Sequence, residues 1–167
     1  MGIEIERKFR VTGDGWRRTA QRSERMAQGY LNDALALAEG REQCSVRVRL
    51  AGESAFLNIK SREIGPARQE FEYPVPAGDA EALLRLCAGG LIDKVRHYVR
   101  HGEHLWEVDE FLGDNAGLIV AEIELDAVDE PFARPEWLGA EVTEQSRYYN
   151  LALSGYPFAR WTDLEKS

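Results

Sequence analysis

Cysteine and long hydrophobic runs are scarce in this chain, and their scarcity excludes several classes of protein. The 167 residues include two cysteines, Cys44 and Cys87, and no CxxC motif, which is not the pattern of a disulfide framework or a zinc ribbon. No apolar run approaches the roughly 18 residues that a membrane-spanning helix requires. No secretory signal is visible at the amino terminus. We therefore expect a reduced, cytoplasmic protein that does not span a membrane.

Positive charge is also in deficit over the chain as a whole. Twenty-one lysines and arginines stand against 29 aspartates and glutamates, which gives a net charge of -8 at pH 7. This balance argues against nucleic-acid binding by long-range attraction, so the basic residues matter where they cluster. With 44% hydrophobic residues, the chain is long enough for one domain, residues 1–167, with a substantial core.

Short segments in which charged and apolar residues alternate run through the whole sequence. In IEIERKF, residues 3–9, a β-strand would place Glu4, Glu6 and Lys8 on one face and apolar side chains on the other. Six later segments alternate in the same way. Their charged faces carry Arg47 and Arg49, Lys60 and Arg62, Glu70 and Glu72, Lys94 and Arg96, Glu107 and Asp109, and Glu122 and Glu124. Each charged face has mainly one sign of charge.

Two architectures explain this alternation. An antiparallel sheet with one face in water shows polar residues at every second position. Such a face usually mixes positive and negative charge, because like charges opposite each other on neighbouring strands destabilise a sheet. Here whole strands are acidic or basic, and serine, threonine and glutamine are nearly absent from the charged faces. The pattern favours a closed barrel with a charged interior, suited to a polyanion bound together with a divalent metal.

The predicted fold is mainly β within the α+β class: an eight-stranded, antiparallel closed barrel with helices packed outside. The strands are expected near 2–11, 26–32, 45–51, 55–62, 68–76, 91–101, 104–111 and 118–126. Gly52 and Gly102 mark tight hairpin turns. Helical spacing covers 79–88 and a stretch from Thr143 or Glu144 to about Leu153, and 32–43 is expected to be a mobile loop.

The ordered strand motifs resemble the CYTH superfamily, the triphosphate tunnel metalloenzymes. The resemblance begins with EIERKF and extends over essentially the whole chain. The further matching segments, in order, are QGYL at 28–31, VRVR at 46–49, IKSR at 59–62, EFEY at 70–73, KVR at 94–96, EVD at 107–109, AEIEL at 121–125 and VTEQSRYYN at 142–150. A single ExExK motif is weak evidence, whereas this ordered set is strong.

The resemblance implies an eight-stranded tunnel that binds triphosphate with Mg²⁺ or Mn²⁺. Members of the superfamily hydrolyse inorganic triphosphate, thiamine triphosphate or RNA 5′-triphosphate ends, and one branch converts ATP to cyclic AMP. The pairing of EIERKF with QGYL is most similar to the short bacterial inorganic triphosphatases. In similar proteins a lysine and a tyrosine lie near the attacking water. The resemblance therefore gives catalytic roles to Lys8 and Tyr30.

Residue chemistry agrees with these roles. Divalent cations such as Mg²⁺ prefer carboxylate oxygen, and lysine and arginine bind phosphate oxygens. The expected metal cluster is Glu4, Glu6, Glu122 and Glu124. Three further carboxylates are candidates for a second metal site or for positioning water: Glu70, Glu72 and Asp109. The expected phosphate ligands are Lys8, Arg47, Arg49, Lys60, Arg62, Lys94 and Arg96.

Three classes of function stay open at this point. The leading one is metal-dependent hydrolysis of inorganic triphosphate, with thiamine and nucleoside triphosphates as alternative substrates. The second is an adenylate cyclase of class IV type, although no set of residues for reading adenine is evident. The third is a non-catalytic polyphosphate-binding module, which the presence of both acidic clusters disfavours. The expected partner is a small-molecule triphosphate rather than nucleic acid or membrane. A homodimer is one option, and Arg147 is assigned either to the tunnel mouth or to the surface.

Overall fold

The computed structural model, which describes residues 2–167, contains one antiparallel sheet that closes on itself. Its strands in chain order are β1 Gly2–Val11, β2 Ala20–Tyr30, β3 Cys44–Ala51, β4 Ser54–Ser61, β5 Ala67–Pro74, β6 Ile92–His101, β7 His104–Phe111, β8 Ile119–Glu124 and β9 Leu138–Glu141. Around the barrel the order is β5-β4-β3-β2-β6-β7-β8-β1, and pairing of β1 with β5 closes it. The predicted eight-stranded barrel is confirmed.

Two strands differ from the prediction. The first is β2, which begins at Ala20 rather than near residue 26. Its first six residues, AQRSER, do not alternate between polar and apolar, so the sequence does not mark them as a strand. They nevertheless pair with β6, as far as Val99. The second is β9, a four-residue strand absent from the prediction. It lies beside the second half of β1, outside the closed ring, and pairs Val11 with Leu138. A strand this short carries too few residues to show a period.

Short helices lie in the connections between strands and in the segment that follows β9. Their bounds are α1 Ala34–Ala38, α2 Ala77–Leu84, α3 Asn150–Gly155 and α4 Asp163–Lys166, with 3-10 turns at Gly15–Arg18, Gly113–Asn115, Ser146–Tyr148 and Phe158–Arg160. The helix predicted over 79–88 is present as α2, which begins two residues earlier and ends at Leu84. The loop predicted over 32–43 is wrong in part, because Asp33 caps α1 by accepting a hydrogen bond from the Leu35 N–H. None of the helices in residues 2–167 is long and apolar enough to cross a membrane.

The helix predicted to start at Thr143 or Glu144 begins only at Asn150. Thr143 does not cap a helix. It is buried, and its hydroxyl accepts a hydrogen bond from the Lys8 N–H at 3.0 Å. The sequence alone does not show that this segment runs beside β1, where its backbone and the Thr143 hydroxyl bond to Lys8.

The outward apolar faces of the strands are covered in two ways. On one side α2 packs against β3 and β4, burying Ala80 with Val48 and Ala55. On the other side the cover is an aromatic cluster rather than a helix. Trp106 is fully buried there, and its ring centroid lies 5.7 Å from that of Phe9 and 5.8 Å from that of Trp137. The expected outer shell of helices is thus only partly present.

A third apolar cluster occupies part of the barrel interior. Ile92, Phe111 and Val120 share the strand faces of the charged residues two positions away, so they point inward. They pack with residues of the carboxy-terminal segment, among them Leu153 and Trp161. These side chains fill the barrel beside the start of β6 and leave the charged cavity in the remaining interior.

Candidate active site

The charged strand faces enclose one cavity of about 940 Å³. Because side chains alternate across each strand, every second residue points into it. The predicted site residues that line the cavity are Glu4, Glu6, Lys8, Tyr30, Arg47, Arg49, Lys60, Arg62, Glu70, Glu72, Arg96, Glu122 and Glu124. The structure therefore brings acidic and basic strand faces together around a common space. Which of these residues bind metal or phosphate remains a prediction.

Lys94 and Asp109 do not line this cavity. They are almost completely buried and pair with each other, with 2.5 Å between Lys94 Nζ and Asp109 Oδ2. Arg96 donates to both oxygens of Asp109 at 2.7 Å. Burial lowers the pKa of Lys94 to about 8, against the opposing effect of Asp109. Asp109, itself held by Lys94, therefore fixes the guanidinium of Arg96 at the cavity wall.

Lys8 and Arg96 share the carboxylate of Glu122. The ammonium of Lys8 donates to Glu122 Oε1, and Arg96 Nη2 donates to Glu122 Oε2 at 2.9 Å. Burial alone would lower the pKa of Lys8, but the carboxylates of Glu122 and Glu6 outweigh it and raise that pKa. Burial would likewise raise the pKa of Glu122, but Lys8 and Arg96 hold it well below its usual value. All three groups are therefore charged at neutral pH.

A second ion-paired group links β4, β5 and β1. Lys60 Nζ lies 2.8 Å from both carboxylate oxygens of Glu4 and 3.5 Å from Glu70. Arg68 lies 3.2 Å from Glu4 and 3.8 Å from Glu6. Sequence analysis missed Arg68. It shares the strand face of Glu70 and Glu72, so extending the alternation by one step would have identified it.

Glu124 makes no salt bridge with any other residue between 2 and 167. Burial raises its pKa, and repulsion from Glu4, Glu6 and Glu70 raises it further. A carboxylate crowded by three others is the environment that a hard divalent cation stabilises. The donor chemistry of this group therefore fits Mg²⁺ or Mn²⁺. Within residues 2–167 the carboxylates do not yet converge on one point, because Lys60 and Arg68 lie between them.

Unused hydrogen-bond donors lie on the opposite wall. Within residues 2–167 the buried Nε atoms of Arg47 and Arg49 have no hydrogen-bond partner, although Arg49 also pairs with Glu72 at 3.0 Å. Asn58 is fully buried and donates to Glu70 at 3.2 Å and to Glu72 at 2.5 Å. Guanidinium donors in a shielded cavity bind phosphate oxygens well. Sequence analysis missed Asn58, because an asparagine between apolar residues carries no charge signal.

Tyrosines approach the site from two elements. Tyr30 lines the cavity from β2, and burial raises its pKa against the effects of Arg47, Arg68 and Lys8. Tyr149 also lines the cavity, from the carboxy-terminal segment, and sequence analysis missed it. Arg147 is not part of the lining. Its guanidinium lies 5.2 Å from the ring centroid of Tyr148 and 5.3 Å from that of Trp161, two members of the apolar cluster.

This chain is similar to known proteins in sequence and in fold. The CYTH domain model matches residues 2–156. An inorganic triphosphatase of Acetivibrio thermocellus is 38% identical over 164 residues, which are 98% of this chain and 100% of that protein. An inorganic triphosphatase of Nitrosomonas europaea is 33% identical over 156 residues, 90% of this chain and 96% of that protein.

Solved structures share the barrel. A crystal structure of an inorganic triphosphatase matches with a TM-score of 0.63 and 32% identity, covering 90% of this chain and 97% of that chain. A putative adenylyl cyclase from Hippeastrum, reported to have a dominant triphosphatase activity, matches with a TM-score of 0.56 over 74% of this chain and 80% of that chain. Its identity is 16%, so this similarity shows the fold alone.

Proposed function

The chain belongs to the CYTH family, and on that premise we propose that it is a divalent-metal-dependent hydrolase that cleaves inorganic triphosphate to pyrophosphate and phosphate. The observation that carries the proposal is the pairing of both charge types within one cavity. Lys60 is held by Glu4, and Lys8 and Arg96 are held by Glu122. A simple anion-binding protein would have no need of the carboxylates.

Binding of substrate with metal would exchange these ion-pair partners. The carboxylates that would hold Mg²⁺ or Mn²⁺ are Glu4, Glu6, Glu122 and Glu124, with Glu70 and Glu72 available for a second ion or for orienting water. A bound divalent cation would neutralise phosphate charge and make water more nucleophilic. Released from Glu4, Lys60 would then bind phosphate oxygen. The exchange keeps every charged group paired, which a shielded cavity requires.

The basic side chains would align the triphosphate along the cavity. Arg47 and Arg49 on β3 have donors free for phosphate, and Arg62 and Arg96 line other parts of the wall. Phosphoryl transfer depends on positioning and charge neutralisation more than on covalent chemistry. Contacts to the two phosphates that do not react would hold the terminal phosphorus in place. Pyrophosphate is too short to use all of these contacts.

We further propose that the protein acts in the cytoplasm. Both cysteines, Cys44 and Cys87, are free thiols, which suits a reducing cytoplasm. We expect residues 1–167 to act as one unit on a small-molecule substrate.

Phosphate release from metal-free protein tests the function. The protein is treated with chelator, and triphosphate, pyrophosphate, thiamine triphosphate and ATP are supplied singly, with and without Mg²⁺ or Mn²⁺. We expect triphosphate to be hydrolysed fastest, only when metal is present, and pyrophosphate to be left intact. Metal-independent turnover, or pyrophosphate hydrolysis as fast as that of triphosphate, would refute the proposal.

A further inference from the structure

Tyr149 places its aromatic ring against two cations of the cavity wall. The ring centroid lies 5.5 Å from Lys8 Nζ and 5.4 Å from Arg68 Cζ. The face of an aromatic ring attracts cations at this range, and more strongly where water is excluded. Lys8 is nearly fully buried, and Arg68 is largely so. One neutral ring thus contacts two like charges that come from different strands.

The segment that carries Tyr149 also holds the backbone of Lys8. The Val142 N–H donates to the Lys8 carbonyl at 2.8 Å, and the Lys8 N–H donates to the Thr143 hydroxyl at 3.0 Å. The Tyr149 hydroxyl donates to the Thr143 carbonyl at 2.5 Å, which fixes the ring relative to the same segment. Lys8 is therefore held at its backbone and at its ammonium by one stretch of chain, residues 142–149.

The ring differs from the other partners of these cations. Lys8 is otherwise held by Glu122 and Glu6, and Arg68 by Glu4 and Glu6. Those carboxylates are the groups proposed to bind metal, so their hold on the cations weakens when metal arrives. The ring of Tyr149 competes for neither metal nor phosphate. It is the contact that persists while Lys8 and Arg68 change partners.

We propose that Tyr149 is a positioning residue, which sets the placement of Lys8 and Arg68 toward the phosphate through the face of its ring. Its kinetic consequence rests on the proposed function. Mutual repulsion would otherwise drive the two cations apart once their carboxylate partners were neutralised. Because both cations are attracted to the same ring, both remain directed at the same region of the cavity.

A fluorinated series at position 149 tests this role. Tyr149→Phe keeps the ring and removes the hydroxyl, and it serves as the reference. Monofluoro-, difluoro- and trifluorophenylalanine then weaken the charge on the ring face in steps, with little change in volume. We expect kcat/KM for triphosphate to fall with each step, by roughly tenfold over the series. The same series at Phe158, whose ring lies 4.9 Å from Lys166 Nζ outside the cavity, should leave kcat/KM unchanged.

A flat series at position 149, in proteins with the melting temperature of the reference, would overturn the assignment. Calorimetric binding of inorganic triphosphate without metal gives a second readout that does not need turnover. If the wild-type protein fails to hydrolyse triphosphate, the proposed function is wrong. The role of Tyr149 is then decided by this affinity, which should fall along the series if the ring positions the two cations and stay constant if it does not.

Discussion

Glu122 and Glu124 lie on the same face of β8, but only Glu122 is ion-paired. Glu122 is 6% exposed and accepts hydrogen bonds from Lys8 and Arg96. Glu124 faces the carboxylate cluster at the more open part of the cavity and has no salt bridge within residues 2–167. The strand pattern makes these two glutamates equivalent. Their surroundings give them opposite effects on stability.

Replacing Glu124 by glutamine should stabilise the metal-free protein at pH 7. The pKa of Glu124 is raised in the folded protein. As pH rises through this raised pKa, the carboxyl group becomes charged and the folded state loses stability. Glutamine removes the repulsion, so the urea midpoint should increase at pH 7, and the gain should disappear below the usual carboxyl pKa. The same change should lower kcat at limiting metal. Glu81→Gln on the exposed face of α2 is the control. An unchanged midpoint together with unchanged kcat would place the metal elsewhere.

Replacing Glu122 by glutamine should destabilise the protein by about 3 kcal/mol or more, because two buried cations lose their shared counter-ion. The pKa of Glu122 is lowered, so the stability that it contributes is present above the usual carboxyl pKa and is lost as pH falls through the lowered value. The variant should therefore differ most from wild type near neutral pH. Equilibrium unfolding from pH 3 to 8 measures this difference, and equal stability at pH 7 would contradict the ion-pair arrangement.

Replacing Arg49 by alanine should weaken triphosphate binding while the fold remains intact. Charge-assisted hydrogen bonds contribute about 1.5–3 kcal/mol, so kcat/KM should fall roughly ten- to a hundredfold. Arg49 contacts Glu72 at the cavity wall, whereas the matched control, Arg41→Ala, removes an exposed ion pair with Glu39. Steady-state kinetics should show a lower kcat/KM for Arg49→Ala and an unchanged kcat/KM for Arg41→Ala. Similar losses in both would argue against a phosphate contact at Arg49.

Replacing Gly29 by alanine should destabilise the barrel, since the added methyl carbon would lie 2.6 Å from Cys87 Sγ and 2.8 Å from Leu91 Cδ2. Overpacking of this kind costs about 1–3 kcal/mol. Gly78, in the first turn of α2, is the control, because an added methyl carbon there meets no atom of another element within 4 Å. Thermal unfolding should show a lower melting temperature for Gly29→Ala alone. A stabilised Gly29→Ala protein would contradict this packing.

The barrel was predictable because the alternation within each strand shows which of its side chains share a face. Alternation in IEIERKF is a local property of the sequence. It places Glu4 and Glu6 on the inner face of the barrel, regardless of which strands pair with β1. The resemblance to the CYTH superfamily added the expectation that these strands close into one tunnel. The aromatic cover around Trp106 was not predictable in this way, because its members come from distant segments without a shared period.

Partner choice inside the cavity was the part that sequence did not reveal. Nothing in the motif AEIEL shows that Glu122 is paired and Glu124 is not. The difference depends on the register of β1 and β8, which sets Lys8 opposite Glu122 and Glu6 opposite Glu124. Tyr149 lies in a matched motif, yet its contacts with Lys8 and Arg68 depend on the path of the carboxy-terminal segment across the barrel. The charge pattern identified most of the charged side chains that line the cavity, and only the tertiary structure identified their pairs.

Product analysis with two competing substrates tests the proposed function most directly. Purified protein with Mg²⁺ or Mn²⁺ is given inorganic triphosphate and ATP at equal concentration, and the products are separated by ion chromatography. We predict equal amounts of pyrophosphate and phosphate from triphosphate, pyrophosphate that accumulates without further cleavage, and slower consumption of ATP. Formation of cyclic AMP from ATP faster than hydrolysis of triphosphate would contradict the proposed function and identify a cyclase.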